Sequence, residues 1–188
     1  MKVCWILVGP SGSGKSTLID TLLKSSAGGI VFSLDSCRMQ FAEGFDEYLG
    51  IPLHLEKDRY SAAYHLSMEH EKEFKEYHKE VWEHALTHEY VYVDNTNLTK
   101  KSRAPWIQGA RAKGFTIIGA EVMAPLSVVL ARQATRSDKA VPAARVTEMY
   151  MRQQELLLGS ECDWLAYFDG SATSPEGMKG YGSVPFHS

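Results

Sequence analysis

The stretch Gly9-Pro10-Ser11-Gly12-Ser13-Gly14-Lys15-Ser16 matches the phosphate-binding loop pattern G-x-x-x-x-G-K-[S/T] at every defined position. The apolar run Val3–Val8 precedes this loop and predicts a buried strand, and Lys15–Ser25 has the pattern of an amphipathic helix. In that setting, glycines let backbone N–H groups converge on phosphate oxygens at the positive end of the helix. The segment therefore predicts a nucleotide-binding loop between a strand and a helix.

The polar residues of the loop have expected roles. We expect Lys15 to contact the β- and γ-phosphates and the Ser16 hydroxyl to bind Mg²⁺. ATP is the expected nucleotide, because the chain has no Asn-Lys-x-Asp stretch of the kind that selects guanine. The residues predicted to hold the nucleotide are Gly9, Ser11, Gly12, Ser13, Gly14, Lys15, Ser16, Thr17, Arg132 and Arg136.

Strand and helix patterns alternate along the rest of the chain. Apolar runs predict strands at 30–34, 90–93, 115–123 and 164–168, and helical spacing predicts helices at 59–88, 101–113, 126–136 and 142–158. This alternation predicts one α/β domain at 1–169, with a parallel sheet of four to five strands covered by helices on both faces. Residues 170–188 are rich in Gly, Ser and Pro and are predicted to be a flexible C-terminal tail.

The bulk composition excludes several classes of protein. Of the 188 residues, 44% are hydrophobic and 23% are charged, and the net charge is −3, which excludes disordered and fibrous chains. The early apolar run ends at Gly9, far short of the roughly 20 residues that cross a bilayer. The three cysteines are odd in number and lack paired ligand spacing, which argues against a disulfide framework and a structural zinc site. We expect a cytoplasmic protein.

Charge is unevenly distributed along the chain. Between Leu98 and Arg145 there are nine basic residues and two acidic ones, whereas the segment Glu56–Glu89 is net acidic. A basic segment in a mildly acidic chain suits an anionic ligand such as a nucleic acid. A solvated helix face would explain the individual lysines equally well.

Asp35 and Arg38 follow the second predicted strand. Because the carboxyl ends of parallel strands line a common ligand crevice, both side chains are expected there. Asp35 is predicted to act as a general base towards an acceptor hydroxyl, and Arg38 to hold an acceptor phosphate or the transferred group. Helix capping by Asp35 is the alternative.

The third predicted strand runs into Asp94-Asn95-Thr96-Asn97 and predicts further polar groups at the same edge. Asp94 is expected to support the metal ion or to orient Arg38. Asn95, Thr96 and Asn97 are expected to bind the acceptor. Turn formation and helix capping are the alternative, above all for Asn97.

Arg132 and Arg136 lie four residues apart and hence on one helix face, and Lys139-Ala140-Val141-Pro142 follows them. Such a pair predicts a lid over the nucleotide, with Arg136 stabilising charge on the transferred phosphoryl group. Salt bridges along a surface helix are the alternative.

In chain order, these segments resemble the kinase domain of the bacteriophage 5′-polynucleotide kinases. The resemblance spans roughly residues 2–155 and rests on the loop with Thr17, Asp35 with Arg38, Asp94–Leu98, and the two lid arginines with Lys139–Pro142. It implies a P-loop kinase fold with an arginine-bearing lid, ATP and Mg²⁺ as cofactors, Asp35 as general base, and Arg38 contacting a 3′-phosphate. It also implies transfer of the γ-phosphate to the 5′-hydroxyl of DNA or RNA, in the host cytoplasm if the chain is phage-encoded.

One departure from that family concerns Arg38. The family has Asp-Thr-Asn where this chain has Asn95-Thr96-Asn97, with an Asp one place earlier, which leaves the partner of Arg38 open. Residues 42–58 have no counterpart and lie where an acceptor would enter. Tyr48, Phe41 and Phe45 are therefore candidates for stacking on a base, although each is equally well explained as core.

Three other functions remain open. Relatives of these kinases phosphorylate 5-hydroxymethyluracil bases within DNA as a DNA-modification step, with the same catalytic residues. A small-molecule or nucleoside kinase would not need the basic segment. A nucleotide-sensing module without transfer activity would not need Asp35 or Arg136.

Overall fold

The structure is a computed structural model that describes residues 1–25, 28–137, 139–171 and 180–185. Strands and helices alternate through most of the described chain, as the sequence predicts. In chain order the elements are β1 (Val3–Val8), α1 (Lys15–Ser25), β2 (Ile30–Phe32), α2 (Leu34–Ala42), α3 (Asp46–Leu49), α4 (Glu56–Glu69), α5 (Glu71–Ala85), β3 (Tyr90–Val93), α6 (Lys100–Ala112), β4 (Thr116–Met123), α7 (Leu126–Thr135), α8 (Ala143–Arg152), β5 (Trp164–Asp169) and β6 (Gly180–Pro185).

The strands form one sheet in the order β2-β3-β1-β4-β5-β6. The first five strands pair in parallel, with Cys4 of β1 opposite Val91 of β3 and Ile117 of β4. All three of these side chains are fully buried, as expected for central strands covered on both faces. The predicted α/β P-loop kinase fold, with a parallel sheet covered by helices, is confirmed.

Two clusters of apolar side chains fill the space on either side of the sheet. Phe32 packs against Trp82 and Trp106, with ring centroids 5.0 and 4.9 Å apart, and joins β2 to α5 and α6. On the other face, Leu18 and Ile19 of α1 belong to a separate cluster with residues of β1, β3 and β4. The sheet therefore holds α1 and its preceding loop at a fixed position above the strand ends.

The largest difference from the sequence prediction lies between β2 and β3. The single helix predicted at 59–88 is two helices, α4 and α5, because the chain leaves helical geometry at His70 (φ −104°, ψ 46°). The second strand ends at Phe32, since Ser33 caps the N-terminus of α2. The unpredicted α2 buries only Cys37 and Ala42, so it lacks the apolar spacing that would have indicated a helix.

The C-terminal segment also differs from the prediction. Residues 180–185, placed in a flexible tail by the sequence, form β6, which pairs antiparallel with β5. Pairing of this kind satisfies backbone groups along a strand edge and needs no apolar periodicity in the added strand. Within the predicted tail, residues 172–179 and 186–188 lie outside the described residues. Among the described helices, none is long and apolar enough to span a membrane.

Candidate active site

The carboxyl ends of the parallel strands surround a cavity of about 790 Å³. It brings together the phosphate loop, the start of α2, the residues after β3, and the end of α7 with the segment that follows. The lining residues are Ser11, Gly12, Gly14, Lys15, Ser16, Thr17, Leu34, Asp35, Arg38, Asp94, Asn95, Thr96, Arg132, Arg136 and Lys139. Of the predicted site residues, Gly9, Ser13 and Asn97 do not line this cavity.

The phosphate loop is tightly packed, and two of its glycines are required by that packing. A Cβ at Gly9 would lie 2.4 Å from the carbonyl oxygen of Val122. Gly12 has φ +88°, in the left-handed region that favours glycine, and a Cβ there would meet the Gln133 amide nitrogen at 2.7 Å. Ser13 is fully buried, and its N–H donates to the Pro10 carbonyl. The loop is thus held in one conformation by its surroundings.

Lys15 is buried beneath the loop with its ammonium group bound to backbone. Its Nζ donates to the carbonyl oxygens of Gly9 and Pro10, both at 2.9 Å. Burial lowers the pKa of Lys15 to about 8, and the nearby Asp94 carboxylate opposes that shift. A buried cation with only neutral carbonyl partners gains most from an anionic ligand, which fits a phosphate group bound to this loop.

Ser16 and Asp94 form the pair expected at a magnesium site. The Ser16 hydroxyl donates to Asp94 Oδ2 at 2.9 Å, and both side chains line the cavity. One hydroxyl and one carboxylate fit the preference of Mg²⁺ for few protein oxygens, with water and substrate phosphates completing its shell. These two residues would therefore hold the metal ion.

Asp35 lies in the first turn of α2 and accepts hydrogen bonds from three side chains, one of them in the same helix. Lys139 Nζ lies 2.7 Å from its Oδ2, and its Oδ1 accepts from Arg38 at 2.9 Å and from Tyr60 at 3.0 Å. Burial raises the pKa of Asp35, but the Lys139 and Arg38 cations outweigh that effect and lower it overall. The carboxylate is therefore ionised at neutral pH, as a proton acceptor must be.

The residues after β3 determine where Asp35 and the loop lie. The Asn95 side-chain oxygen accepts from the Leu34 N–H at 2.9 Å and so attaches the start of α2 to the end of β3. The Thr96 carbonyl accepts from the Gly9 N–H at 3.1 Å. Both residues line the cavity. Asn95 connects the segment after β3 to α2, and Thr96 connects it to the phosphate loop.

Asn97 does not reach the cavity, contrary to its predicted role in acceptor binding. Its side chain is buried and donates to the Leu7 carbonyl at 2.8 Å, and its backbone adopts φ +49°. Thr99, not Asn97, caps the following helix. Asn97 belongs to the turn that joins β3 to α6, as the turn-forming alternative has it.

Arg38 has Asp35 as its acidic partner, which resolves the choice that the sequence left open. Its guanidinium carbon lies 5.3 Å from the ring centroid of Tyr64 and 5.7 Å from that of Phe74. Asp94, the other candidate partner, is bonded instead to Ser16. Arg38 therefore packs against two aromatic rings where it lines the cavity.

The two arginines of the predicted lid have different surroundings. Arg132 donates to the carbonyl oxygens of Gly12 at 3.1 Å and Gly170 at 2.6 Å, so it joins the phosphate loop to the end of β5. Arg136 lies just after α7 and lines the cavity. Arg132 therefore supports the loop, whereas Arg136 lines the cavity that the loop borders.

The basic segment from Leu98 to Arg145 carries less free charge than its sequence suggests. Several of its cations form ion pairs, most of them with acids from elsewhere in the chain. These pairs are Arg103 with Glu161, Arg111 with Asp163, Lys113 with Glu83, Lys139 with Asp35, and Arg145 with Glu148. Arg103 is moreover fully buried. The segment is therefore not a continuous basic surface for a nucleic-acid backbone.

The aromatic residues proposed for stacking are also placed differently. Tyr48 is buried in a small core of α2, α3 and α4, and Phe41 packs against Phe45 and Phe74. Tyr64 is exposed, and its ring packs against Arg38, which lines the cavity. Tyr60 and Tyr64 were not singled out from the sequence, because neither belongs to a motif.

The comparisons with known proteins agree with this fold. A family model described as an AAA domain matches residues 4–156. No curated protein sequence matches the chain significantly. Three solved structures illustrate the structural similarity.

A gluconokinase from Sinorhizobium meliloti 1021 aligns with a TM-score of 0.54 and 16% identity, over 91% of this chain and 83% of that one. A sugar kinase from Janibacter sp. HTCC2649 aligns with a TM-score of 0.54 and 18% identity, over 94% and 89%. A fungal RNA kinase aligns with a TM-score of 0.50 and 13% identity, over 92% and 77%. At such identities the similarity shows the fold alone, and the three proteins differ in what they phosphorylate.

Proposed function

Because the chain belongs to the AAA domain family and has the fold of P-loop kinases, we propose that it is an ATP-dependent kinase that transfers the γ-phosphate to the 5′-hydroxyl end of a polynucleotide. The observation that carries the proposal is the position of Asp35. An ionised carboxylate lines the same cavity as the phosphate loop, in the first turn of the helix that follows β2. One cavity thus offers a donor site and a proton acceptor.

On the donor side, the loop and Lys15 bind the β- and γ-phosphates, and Ser16 and Asp94 would hold a Mg²⁺ ion, which would supply positive charge beside them. Asp35 accepts the proton of the acceptor hydroxyl as that oxygen attacks phosphorus. Arg136 lines the same cavity and stabilises charge on the transferred group. Each of these residues acts by position or charge, as phosphoryl transfer requires.

On the acceptor side, Arg38 and Tyr64 support a polynucleotide end. Arg38 presents a guanidinium group to the cavity that suits a phosphate next to the reacting sugar. The exposed Tyr64 ring beside it offers a surface on which a terminal base can stack. A cation and an aromatic ring side by side match the chemistry of a nucleotide better than that of a plain sugar.

A small hydroxylated molecule is the second candidate acceptor. The ion pairs within the basic segment favour it, because they leave few cations for a long nucleic-acid backbone. A nucleoside bearing a 3′-phosphate would satisfy Arg38 and Tyr64 without that backbone. The two candidates therefore differ in the length of acceptor that is needed.

The test supplies γ-labelled ATP and four acceptors: a 5′-hydroxyl oligonucleotide, a nucleoside 3′-phosphate, a free nucleoside, and a 5′-phosphorylated duplex containing 5-hydroxymethyluracil. We expect label at the 5′ end of the oligonucleotide and, more weakly, on the nucleoside 3′-phosphate. Arg38→Gln is expected to remove the preference for the 3′-phosphate over the free nucleoside.

If label appeared only on internal bases, the acceptor would be the modified base and not the 5′ end of the strand. Label on the free nucleoside alone would overturn both polynucleotide acceptors. ATP binding without any transfer would favour a nucleotide-sensing module. Asp35→Asn serves as the inactive control in every arm.

A further inference from the structure

The segment after α7 carries the cation of Lys139 into the cavity, and nothing in the proposed function uses it. We propose that Lys139 is a catalytic residue that pairs with the Asp35 carboxylate at rest and turns to the transferred phosphoryl group when Asp35 takes the acceptor proton. The inference rests on the proposed kinase activity and adds a residue to its mechanism.

The geometry places Lys139 beside the reacting groups. Its Nζ lies 2.7 Å from Asp35 Oδ2 and 5.6 Å from the ring centroid of Tyr60, and its side chain is 30% exposed. It lines the same cavity as the buried Lys15. The charge of Lys139 is close enough to Lys15 to contribute to the lowered pKa of that residue. A phosphoryl group bound by Lys15 would therefore lie within the field of Lys139.

The backbone that carries Lys139 is attached to the phosphate loop through Gln133. This buried residue accepts from the Arg136 N–H with its carbonyl at 3.3 Å, and from the Val141 N–H with its side-chain oxygen at 2.9 Å. Its amide nitrogen donates to the Ser11 hydroxyl at 3.3 Å. Both ends of the segment are thus bonded to one residue, so the Lys139 side chain can change partner without opening the segment.

Among the residues that the structure describes, four groups with charge or a titratable proton lie near Asp35, each at a different position. Lys139 approaches from the segment after α7, Arg38 from the same helix, Tyr60 from α4, and Lys15 from the start of α1. Burial raises the pKa of Asp35, and Lys139 is the largest opposing influence. Loss of the Lys139 charge would therefore make Asp35 easier to protonate than loss of any other neighbour.

The transfer step conserves atoms and charge when Lys139 changes its partner from Asp35 to the transferred phosphoryl group. The acceptor O–H bond breaks and its proton goes to Asp35, while the acceptor oxygen forms a bond to the γ-phosphorus. The bond from that phosphorus to the bridging oxygen breaks, and its electron pair leaves on ADP. Asp35 becomes neutral, so its attraction for Lys139 falls. Lys139 transfers no proton in this step and pairs with an oxygen of the transferred group.

The test compares Lys139→Met, Lys139→Arg and a control, Lys113→Met, whose lysine pairs with Glu83 outside the cavity. We expect Lys139→Met to lower kcat by about 10²-fold, the scale of losing one preorganised group that stabilises the transition state. As the pH is lowered, Lys139→Met should lose activity at a higher pH than the wild type does, because Asp35 protonates more easily in the variant. Lys139→Arg should restore the acid limb of the wild-type pH–rate profile. Lys113→Met should match the wild type in kcat and in its pH–rate profile.

A wild-type kcat in Lys139→Met would overturn the inference. A lowered kcat with an unchanged acid limb of the pH–rate profile would overturn it as well. A second measurement does not need turnover. Carbon-13 NMR titration of the Asp35 carboxyl should give a higher pKa in Lys139→Met than in wild type, with equal melting temperatures showing that both are folded. An unchanged pKa would refute the pairing even if the wild type transferred phosphate, whereas a raised pKa in a protein without transfer activity would refute only the kinase proposal.

Discussion

The Ser16 hydroxyl lies 2.9 Å from a carboxylate oxygen of Asp94, although the two residues are 78 positions apart in the sequence. Ser16 belongs to the first turn of α1, and Asp94 directly follows β3. The contact exists because β1 and β3 are neighbours in the sheet, so their carboxyl ends open at the same place. This pair joins the nucleotide loop to the remaining strand ends, and the first prediction concerns it.

Lys15→Ala and Ser16→Ala are expected to abolish phosphate transfer, because the donor phosphates and Mg²⁺ lose their main protein contacts. Wild type should gain about 2.7 kcal/mol of stability at a ligand concentration 100 times Kd. Melting curves with and without Mg-ATP measure this, and both variants should melt unshifted. Lys24→Ala, an exposed lysine in the last turn of the same helix, is the matched control. If Mg-ATP raised the melting temperature of Lys15→Ala as much as that of the wild type, the assignment of the nucleotide site would be wrong.

Asp35→Asn is expected to keep nucleotide affinity and to lower the transfer rate by about 10²-fold or more, the usual effect of removing a positioned general base. Asn retains the size of the side chain but cannot accept the acceptor proton. Single-turnover kinetics with bound ATP would measure the transfer step directly. Asp46→Asn, at an exposed position in the first turn of α3, should behave as wild type. Turnover near the wild-type rate would limit Asp35 to a structural role in α2.

Arg132→Ala and Arg136→Ala are expected to impair different properties of the protein. Arg132 bonds to the backbone of the phosphate loop and of Gly170, so its loss should lower both the melting temperature and ATP affinity. Arg136 should contribute mainly in the transition state, so its loss should lower kcat more than ATP affinity. Steady-state kinetics together with calorimetric titration of ATP separate the two. Loss of ATP affinity with unchanged kcat in Arg136→Ala would contradict its catalytic role.

Glu161→Gln is expected to destabilise the protein, because Arg103 is fully buried and binds Glu161 through two nitrogens, at 2.7 and 2.8 Å. Removing one partner of a buried ion pair costs about 3–5 kcal/mol, since the other charge stays buried. Urea denaturation at pH 7 measures the loss. A double variant, Arg103→Met with Glu161→Leu, should lie closer to wild type than Glu161→Gln does.

The same pair predicts a pH dependence of stability. Burial raises the pKa of Glu161, but its hydrogen bonds and attraction to Arg103 outweigh that effect and hold it below the ordinary value of 4.5. Because the folded pKa is the lower one, the stabilisation is present above pH 4.5 and is lost as pH falls through the folded value. Urea midpoints measured down this range should converge for wild type and Glu161→Gln. A constant difference would mean that the Glu161 charge contributes nothing.

Features that depend on neighbouring residues in the chain were predictable. The phosphate loop follows a contiguous pattern, and β3 was predicted with the bounds that it has, because an apolar run between polar segments indicates a buried strand. Helix α2 was not predictable in this way. Its nine residues bury only two side chains, and its position is set by Ser33 and by the hydrogen bond from Leu34 to Asn95.

Counting charges along the sequence overstated the unpaired basic charge of one segment for a related reason. The sequence from Leu98 to Arg145 suggested a basic surface, because counting charges along one segment leaves out acids elsewhere in the chain. Glu161 and Asp163 lie beyond that segment and neutralise Arg103 and Arg111. Only the folded chain shows which basic residues still face the cavity.

The sequence by itself determined the α/β fold, the nucleotide loop and the assignment of Asp35, Arg38 and Arg136 as candidate site residues, because each follows from a local pattern or from the end of a strand. Tertiary structure alone decided which of these groups meet. It brought Lys139 to Asp35 across 104 positions, joined Asp94 to Ser16 and not to Arg38, and removed Asn97 from the cavity. The physical reason is that strand order and helix packing determine contacts between distant residues, whereas local periodicity determines only the elements that carry them.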